Sequence, residues 1–169
     1  MQSQHFSEEE KNKMLNFLKK ERSDLGTVAE AYSKDAIDDA KSFNGVLDYS
    51  NESIEVVEGI LDIYEKGIKK EKPSVEQLEK VVKMYGCYAG EALIKNLGLG
   101  EWEIPKSGPV EGAWTVNVNE KFYLFPAKTN KRIMNGREDN IVSMYNSAFN
   151  ENSKKKISLR VFNNPHYSS

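Results

Sequence analysis

The chain has one cysteine, two histidines and five prolines among 169 residues, and no run of about 18 apolar residues that a membrane span would need. Each scarcity removes a class of chemistry. Cys87 alone excludes an internal disulfide and cannot by itself hold zinc. His5 and His166 sit close to the two ends, where side chains are poorly preorganised, so a Ser/His/Asp or Cys/His arrangement would have to recruit a terminal histidine. No Gly-x-Ser-x-Gly elbow and no Asp-x-Asp-x-Asp loop occurs, and Gly98-Leu99-Gly100 closes a helix instead of opening one as a phosphate loop does. No cofactor and no metal is therefore expected. The first ten residues lack the basic start and apolar core of a secretory signal, so the expected location is cytoplasmic, away from any membrane. A net charge of -2 with lysines and carboxylates interspersed offers no footprint for nucleic acid. Lys154-Lys155-Lys156, the one basic run, is expected to be a solvated turn.

What remains is an ordinary globular composition. An apolar fraction of 38% with 30% charged residues, including two Trp, seven Phe and eight Tyr, supports one core and argues against disorder. We expect a single α+β domain over residues 1–169, with N-terminal helices in 1–45 and the core region in 46–150.

The first half has helical periodicity. Ser7 and Glu10 have capping-box spacing, and Met14, Leu15 and Leu18 form a short apolar stripe behind them. A second helix is expected from about Thr27 to Phe43, and a third from a cap at Ser50 to about Lys70, with Ile54, Val57, Leu61, Tyr64 and Ile68 as its core stripe. Pro73 breaks that helix. Ser74 and Gln77 cap the next one, which should end at Gly98. Beyond Gly98 the period shortens: Ala113–Val118 and Phe122–Phe125, joined through Asn119-Glu120, predict a β-hairpin. A short helix over Lys128–Met134, a break at Asn135-Gly136, a helical face of Ile141, Met144, Tyr145 and Ala148, and a last strand over Lys156–Phe162 complete the expected order.

Within the fourth helix the stretch Met84–Ile94, MYGCYAGEALI, is apolar nearly all round apart from Glu91. Such a helix is expected to be covered on both sides, with Gly86 and Gly90 admitting close neighbours, and Glu91 must then find a donor, a cation or a proton. The segments LDYSNESIEVVEGILD, GCYAGEALIKNLGLGEW and FPAKTNKRIMNGREDNIVSMY, from Leu47 to Tyr145, resemble a widespread group of uncharacterised bacterial proteins, a domain of unknown function. The resemblance draws together Asp48, Ser50, Ser53, Gly86, Tyr88, Gly90, Glu91, Trp102, Lys131, Arg132, Gly136, Glu138 and Asp139, and implies no established activity.

Most of these residues have a structural expectation. Asp48, Ser50 and Ser53 should shape a helix entry, Gly136 a tight turn, Glu138 and Asp139 the first turn of the following helix, and Cys87 a small buried site. Lys131 and Arg132 are expected in solvent. Glu91 has two open assignments: an internal ion pair or hydrogen bond, with Arg132 or Lys131 as the favoured partner, or a place in a ligand pocket. The leading functional expectation is a non-enzymatic module, of the immunity or accessory kind, that binds another protein near the hairpin through Trp102, Trp114, Tyr123 and Phe125. The alternative is a small-ligand or carboxylate-dependent enzyme site centred on Glu91, with Arg132 as an anion clamp, Tyr88 as a wall, and Asp48 or Glu138 as a second carboxylate.

Overall fold

The computed structural model describes the backbone of residues 6–162 and the side chains of all of these except 14–15, 17–23 and 156–162. His5, His166 and the side chains of Met14, Leu15 and Leu18 therefore lie outside the described residues. Helix α1 runs from Glu8 to Lys41. Its capping box is reciprocal: the Glu10 amide donates to Ser7 Oγ at 3.2 Å, and the Ser7 amide donates to Glu10 Oε2 at 2.8 Å. Two helices were expected where this single one lies. Nothing in the polar stretch 19–27 breaks a helix, and Gly26 costs only about 1 kcal/mol relative to alanine, which its neighbours in the helix absorb.

Helix α2, Ser53–Lys70, is entered as expected: Ser50 Oγ accepts from the Ser53 amide at 3.1 Å, and Asp48 Oδ1 accepts from the Ser50 amide at 3.0 Å. Helix α3, Val75–Leu97, carries the Ser74/Gln77 capping box and stops at Gly98, whose φ of 69° is the left-handed conformation that glycine adopts without strain. Every residue from Met84 to Leu93 is buried, so α3 is covered on both sides. Large side chains such as Tyr85, Tyr88 and Leu93 are fully buried there, at about 1.5–3 kcal/mol for each large apolar side chain removed from water.

The sheet is small and antiparallel, in the order β1 (Glu101–Glu103), β2 (Thr115–Val118), β3 (Lys121–Tyr123). Trp102 pairs with Val116 and Val118 with Lys121, leaving Asn119 and Glu120 as a two-residue turn with φ of 51° and 67°. Two positive φ angles match the twist of the flanking strands, which fixes the hairpin register. Helix α4, Phe125–Asn135, begins through Pro126 and packs across α2 and α3. A Cβ on Gly86 would lie 2.5 Å from Pro126 Cα, so the close neighbour expected at that glycine is the backbone of α4. Gly90 sits beneath the Trp102 indole and Val116. Gly136, at φ 100°, leads through a 3-10 turn, Arg137–Asp139, to α5, Ile141–Phe162. The strand expected over Lys156–Phe162 is instead the last part of α5. No Gly or Pro lies between Ile141 and Phe162, so the helix continues through residues whose alternation would also suit a strand. The outcome is an α+β fold whose core lies around α3.

Candidate functional site

Glu91 is 9% exposed and has a definite partner, the Trp102 indole, whose Nε1–H donates to Oε1 at 2.9 Å. Lys95, one turn further along α3, stands 3.9 Å from Oε2. Burial pushes the carboxyl above its usual range, against the lowering effect of the indole and of Lys95. Neither Arg132 nor Lys131 reaches it. The expected Glu91–Arg132 pair is replaced by a neutral donor from β1, because α4 presents Arg132 to α2 instead.

Arg132 is fully buried where solvent was expected. Its Nε donates to Glu58 Oε1, its Nη1 to Glu65 Oε2 at 2.6 Å and its Nη2 to Asp62 Oδ1 at 3.1 Å. Glu58, Asp62 and Glu65 form one row of carboxylates along α2, spaced by four and three residues, and the guanidinium fork is the one cationic group that can meet all three in a plane. Burial works against the charged form of Arg132, but the three carboxylates outweigh it and hold the guanidinium firmly protonated. Glu58 Oε2 also accepts the Ile141 amide at 3.1 Å, which ties the start of α5 into the cluster. With each of its three nitrogens donating to a carboxylate of α2 and its side chain fully buried, Arg132 is not placed as an anion clamp. Lys131 is exposed, as expected.

Tyr88 is buried at the entry to α2. Its hydroxyl meets Ser53 Oγ at 2.6 Å and accepts the Tyr49 amide at 2.7 Å, and its ring stacks on Tyr49 with centroids 5.0 Å apart. Tyr49 has φ 63°, a strained value for an aromatic residue, held by those contacts and by Asn96, which donates to its carbonyl at 2.7 Å. Asp48 stays at the surface with its carboxyl lowered by the hydrogen bonds from Ser50. Glu138 is exposed in the 3-10 turn, and Asp139 accepts from Lys128 at 3.1 Å and Asn135 at 3.0 Å. Glu91, Asp48 and Glu138 thus serve three separate places and make no shared acid/base pair.

The aromatic surface expected near the hairpin is interior. Trp102 is 4% exposed, Tyr123 6% and Phe125 fully buried, while Trp114 is half-buried against Trp102 and Tyr32. The reason is the covered second side of α3: Trp102 of β1 and Val116 of β2 lie over Gly90, so the sheet has two layers to fill.

The feature that does open to solvent is a groove of about 570 Å³ between α1, α2 and α3. Its floor is apolar, with Ile68, Leu78, Val81, Met84 and Ile133. One wall is a second carboxylate row, Asp35, Asp38 and Asp39 on α1, spaced by three and one residues. Asp39 Oδ2 accepts the hydroxyls of Tyr64 at 2.8 Å and Tyr85 at 2.5 Å, which fixes its orientation, and burial first, then this carboxylate, raises both phenols above their usual range. Asp38 is paired only across one turn, with exposed Lys41 at 2.9 Å. On the opposite wall Gln77 and Lys80 are exposed, as are Asp35 and Asp38, so the feature is an open trough. Glu91 lines neither this groove nor the smaller one between α2 and α5 that includes Glu58 and Asn140.

Sequence reasoning missed the groove. Its one visible signal is DAIDDA, an aspartate cluster interleaved with the small core residues Ala36 and Ala40; the Tyr64 and Tyr85 contacts span 25 and 46 residues and leave no local trace. Among the described residues, no group of three or more His, Cys, Asp or Glu side chains is placed to hold a metal ion, and no helix is long and apolar enough to cross a membrane. No family model matches the chain, and no curated protein or solved structure matches it either.

Proposed function

We propose that this protein is a non-enzymatic interaction module whose binding site is the groove between α1, α2 and α3, and that it takes a basic amphipathic helix. One observation carries the proposal: Asp35, Asp38 and Asp39 form a carboxylate row over an apolar floor, countered by Lys80 in the lining and by the exposed Lys41 paired to Asp38. An amphipathic helix laid in such a trough places apolar residues at three- and four-residue steps on the floor and cations against the wall. A drug-sized molecule wants most of its surface enclosed, which an open trough with four exposed lining residues does not provide. Met84 in the floor adds a flexible, polarisable surface that adapts to such side chains.

The test is fluorescence anisotropy with a labelled Leu/Lys amphipathic helix of about 18 residues, beside its Leu/Glu counterpart. The Leu/Lys helix should bind with micromolar affinity that weakens with salt, the Leu/Glu helix should not, and Asp35→Asn with Asp38→Asn should cost about tenfold, or 1.4 kcal/mol. Equal binding of the two helices, or an affinity indifferent to the aspartates, would sink the proposal.

A further inference from the structure

We infer that the helix this groove receives is the amino-terminal part of α1 from a second copy of the chain, so that two protomers exchange arms about a two-fold axis. The inference rests on the groove reading above and names its partner. Three observations lead to it.

The first is the uneven packing of α1. Among its described side chains the buried ones, Ala29, Ser33, Ala36 and Ala40, lie in the later part, whereas those from Phe6 to Lys13, with Asn16 and Asp24, are exposed. At 1.5 Å per residue, the stretch from Glu8 to Asp24 is about 25 Å of helix.

The second is its chemistry. Residues 11–22 carry five cations, Lys11, Lys13, Lys19, Lys20 and Arg22, against one anion, Glu21, interleaved with Met14, Leu15, Phe17 and Leu18. That is the complement of an apolar floor walled by three aspartates. Lys11 and Lys13 are engaged with Glu8 and Glu9 of their own turn, at 2.8 and 3.1 Å, but pairs so exposed are weak and re-form readily. Lys80 in the lining and Lys41 beside Asp38 are cations that an arm in the groove must accommodate.

The third is geometric closure. Arm and wall belong to the same helix, so two antiparallel α1 helices bring the arm of each against residues 35–39 of the other, which is the self-complementary contact of a two-fold dimer. Midway between the two segments the helices would cross beside Gly26, where nothing lies within 4 Å of the position a Cβ would take. The absence of a Cβ there lets a crossing helix approach closely.

Sedimentation of the full chain between about 1 and 300 µM, at low and high salt, should show a salt-sensitive monomer–dimer equilibrium. Reversing the arm (Lys19→Glu with Lys20→Glu) or the wall (Asp35→Lys with Asp38→Lys) should weaken self-association at least tenfold while circular dichroism stays helical. Mixing the two reversed proteins should restore a heterodimer, since each arm then faces a wall of opposite sign; this rescue cannot come from misfolding. A wild type that stays monomeric throughout, a dimer indifferent to both reversals, or a mixture that stays monomeric each overturns the inference. If the chain is monomeric but still binds the Leu/Lys helix, the arm exchange fails and the groove reading stands; if it does neither, both fall.

Discussion

Two rows of three carboxylates, both on helices and both over apolar packing, meet opposite fates in this molecule. Glu58, Asp62 and Glu65 on α2 are answered from within by one fully buried arginine that reaches all three. Asp35, Asp38 and Asp39 on α1 receive two tyrosine hydroxyls and an exposed lysine, and otherwise face a trough. The difference lies in what the chain places opposite each row. Helix α4, seated on Gly86 through Pro126, delivers Arg132 to α2, whereas along the groove α3 sets Leu78, Val81 and Met84 opposite the aspartates, with Lys80 at the rim. An internal row is saturated and therefore structural; an open row is available to something outside the protomer.

The comparison can be broken most severely at Arg132. Arg132→Met should leave three carboxylates crowded without a cation and cost about 3–5 kcal/mol in urea unfolding at pH 7, with partial recovery at low pH as the carboxylates take up protons. The sign follows from linkage. Asp62 and Glu65 have their carboxyls lowered, Asp62 mainly by Lys66 and Arg137 and Glu65 mainly by Arg132. Their stabilisation is present above the ordinary carboxylate range and is lost as pH falls through the lowered values, so the wild type loses more than the variant on acidification. A variant as stable as wild type at pH 7 would show that the row needs no answer.

Next in size, Gly86→Ala should cost about 1–3 kcal/mol by driving α4 away from α3, and with it the arginine from its row. Thermal unfolding measures the loss, and a crystal structure of the variant should show α4 displaced. Glu91 allows a finer test, being a carboxylate answered by an indole and a distant lysine. Its raised carboxyl means that the folded protein holds the proton more tightly, so Glu91 favours folding at low pH and opposes it increasingly as pH rises towards the raised value. Glu91→Gln keeps an acceptor for Trp102; its melting temperature should equal that of wild type below about pH 4 and match or exceed it at pH 8. A lower value at pH 8 would mean that Lys95 outweighs burial. The smallest stability effect belongs to the open row: Asp35→Asn with Asp38→Asn should move the melting temperature by less than about 2 °C. A large loss there would make the second row structural as well and end the contrast.

The local features were legible in the amino-acid sequence. Both capping boxes, the Ser50 hydroxyl at the entry to α2 (whose N-cap position is Glu52), the stop at Gly98, the Asn119-Glu120 turn and the two-sided α3 are set by neighbours within a few residues, and the structure contains each of them. The site residues were harder, because their partners lie far apart in the chain. Arg132 looks solvated from its own neighbourhood, and only the packing of α4 on α2, 67 to 74 residues away, reverses that. The hairpin aromatics looked surplus to one sheet face because the sequence does not say that the sheet is what covers the second side of α3. The division expected within α1 and the strand expected at 156–162 failed for the opposite reason: local polarity and alternation suggested ends that helix continuity overrode.

One buried atom has a use that concerns timing. Cys87 is the only thiol in the chain, fully covered in the middle of α3, with its pKa pushed up to about 12 by burial and by Glu91. In the closed molecule a thiol reagent meets neither the sulfur nor an appreciable amount of thiolate. The rate at which such a reagent is consumed therefore counts openings of the core, and it does so under native conditions, without denaturant or label. Run in parallel on each variant above, that clock would separate substitutions that loosen the centre of the fold from those that act only at its edge.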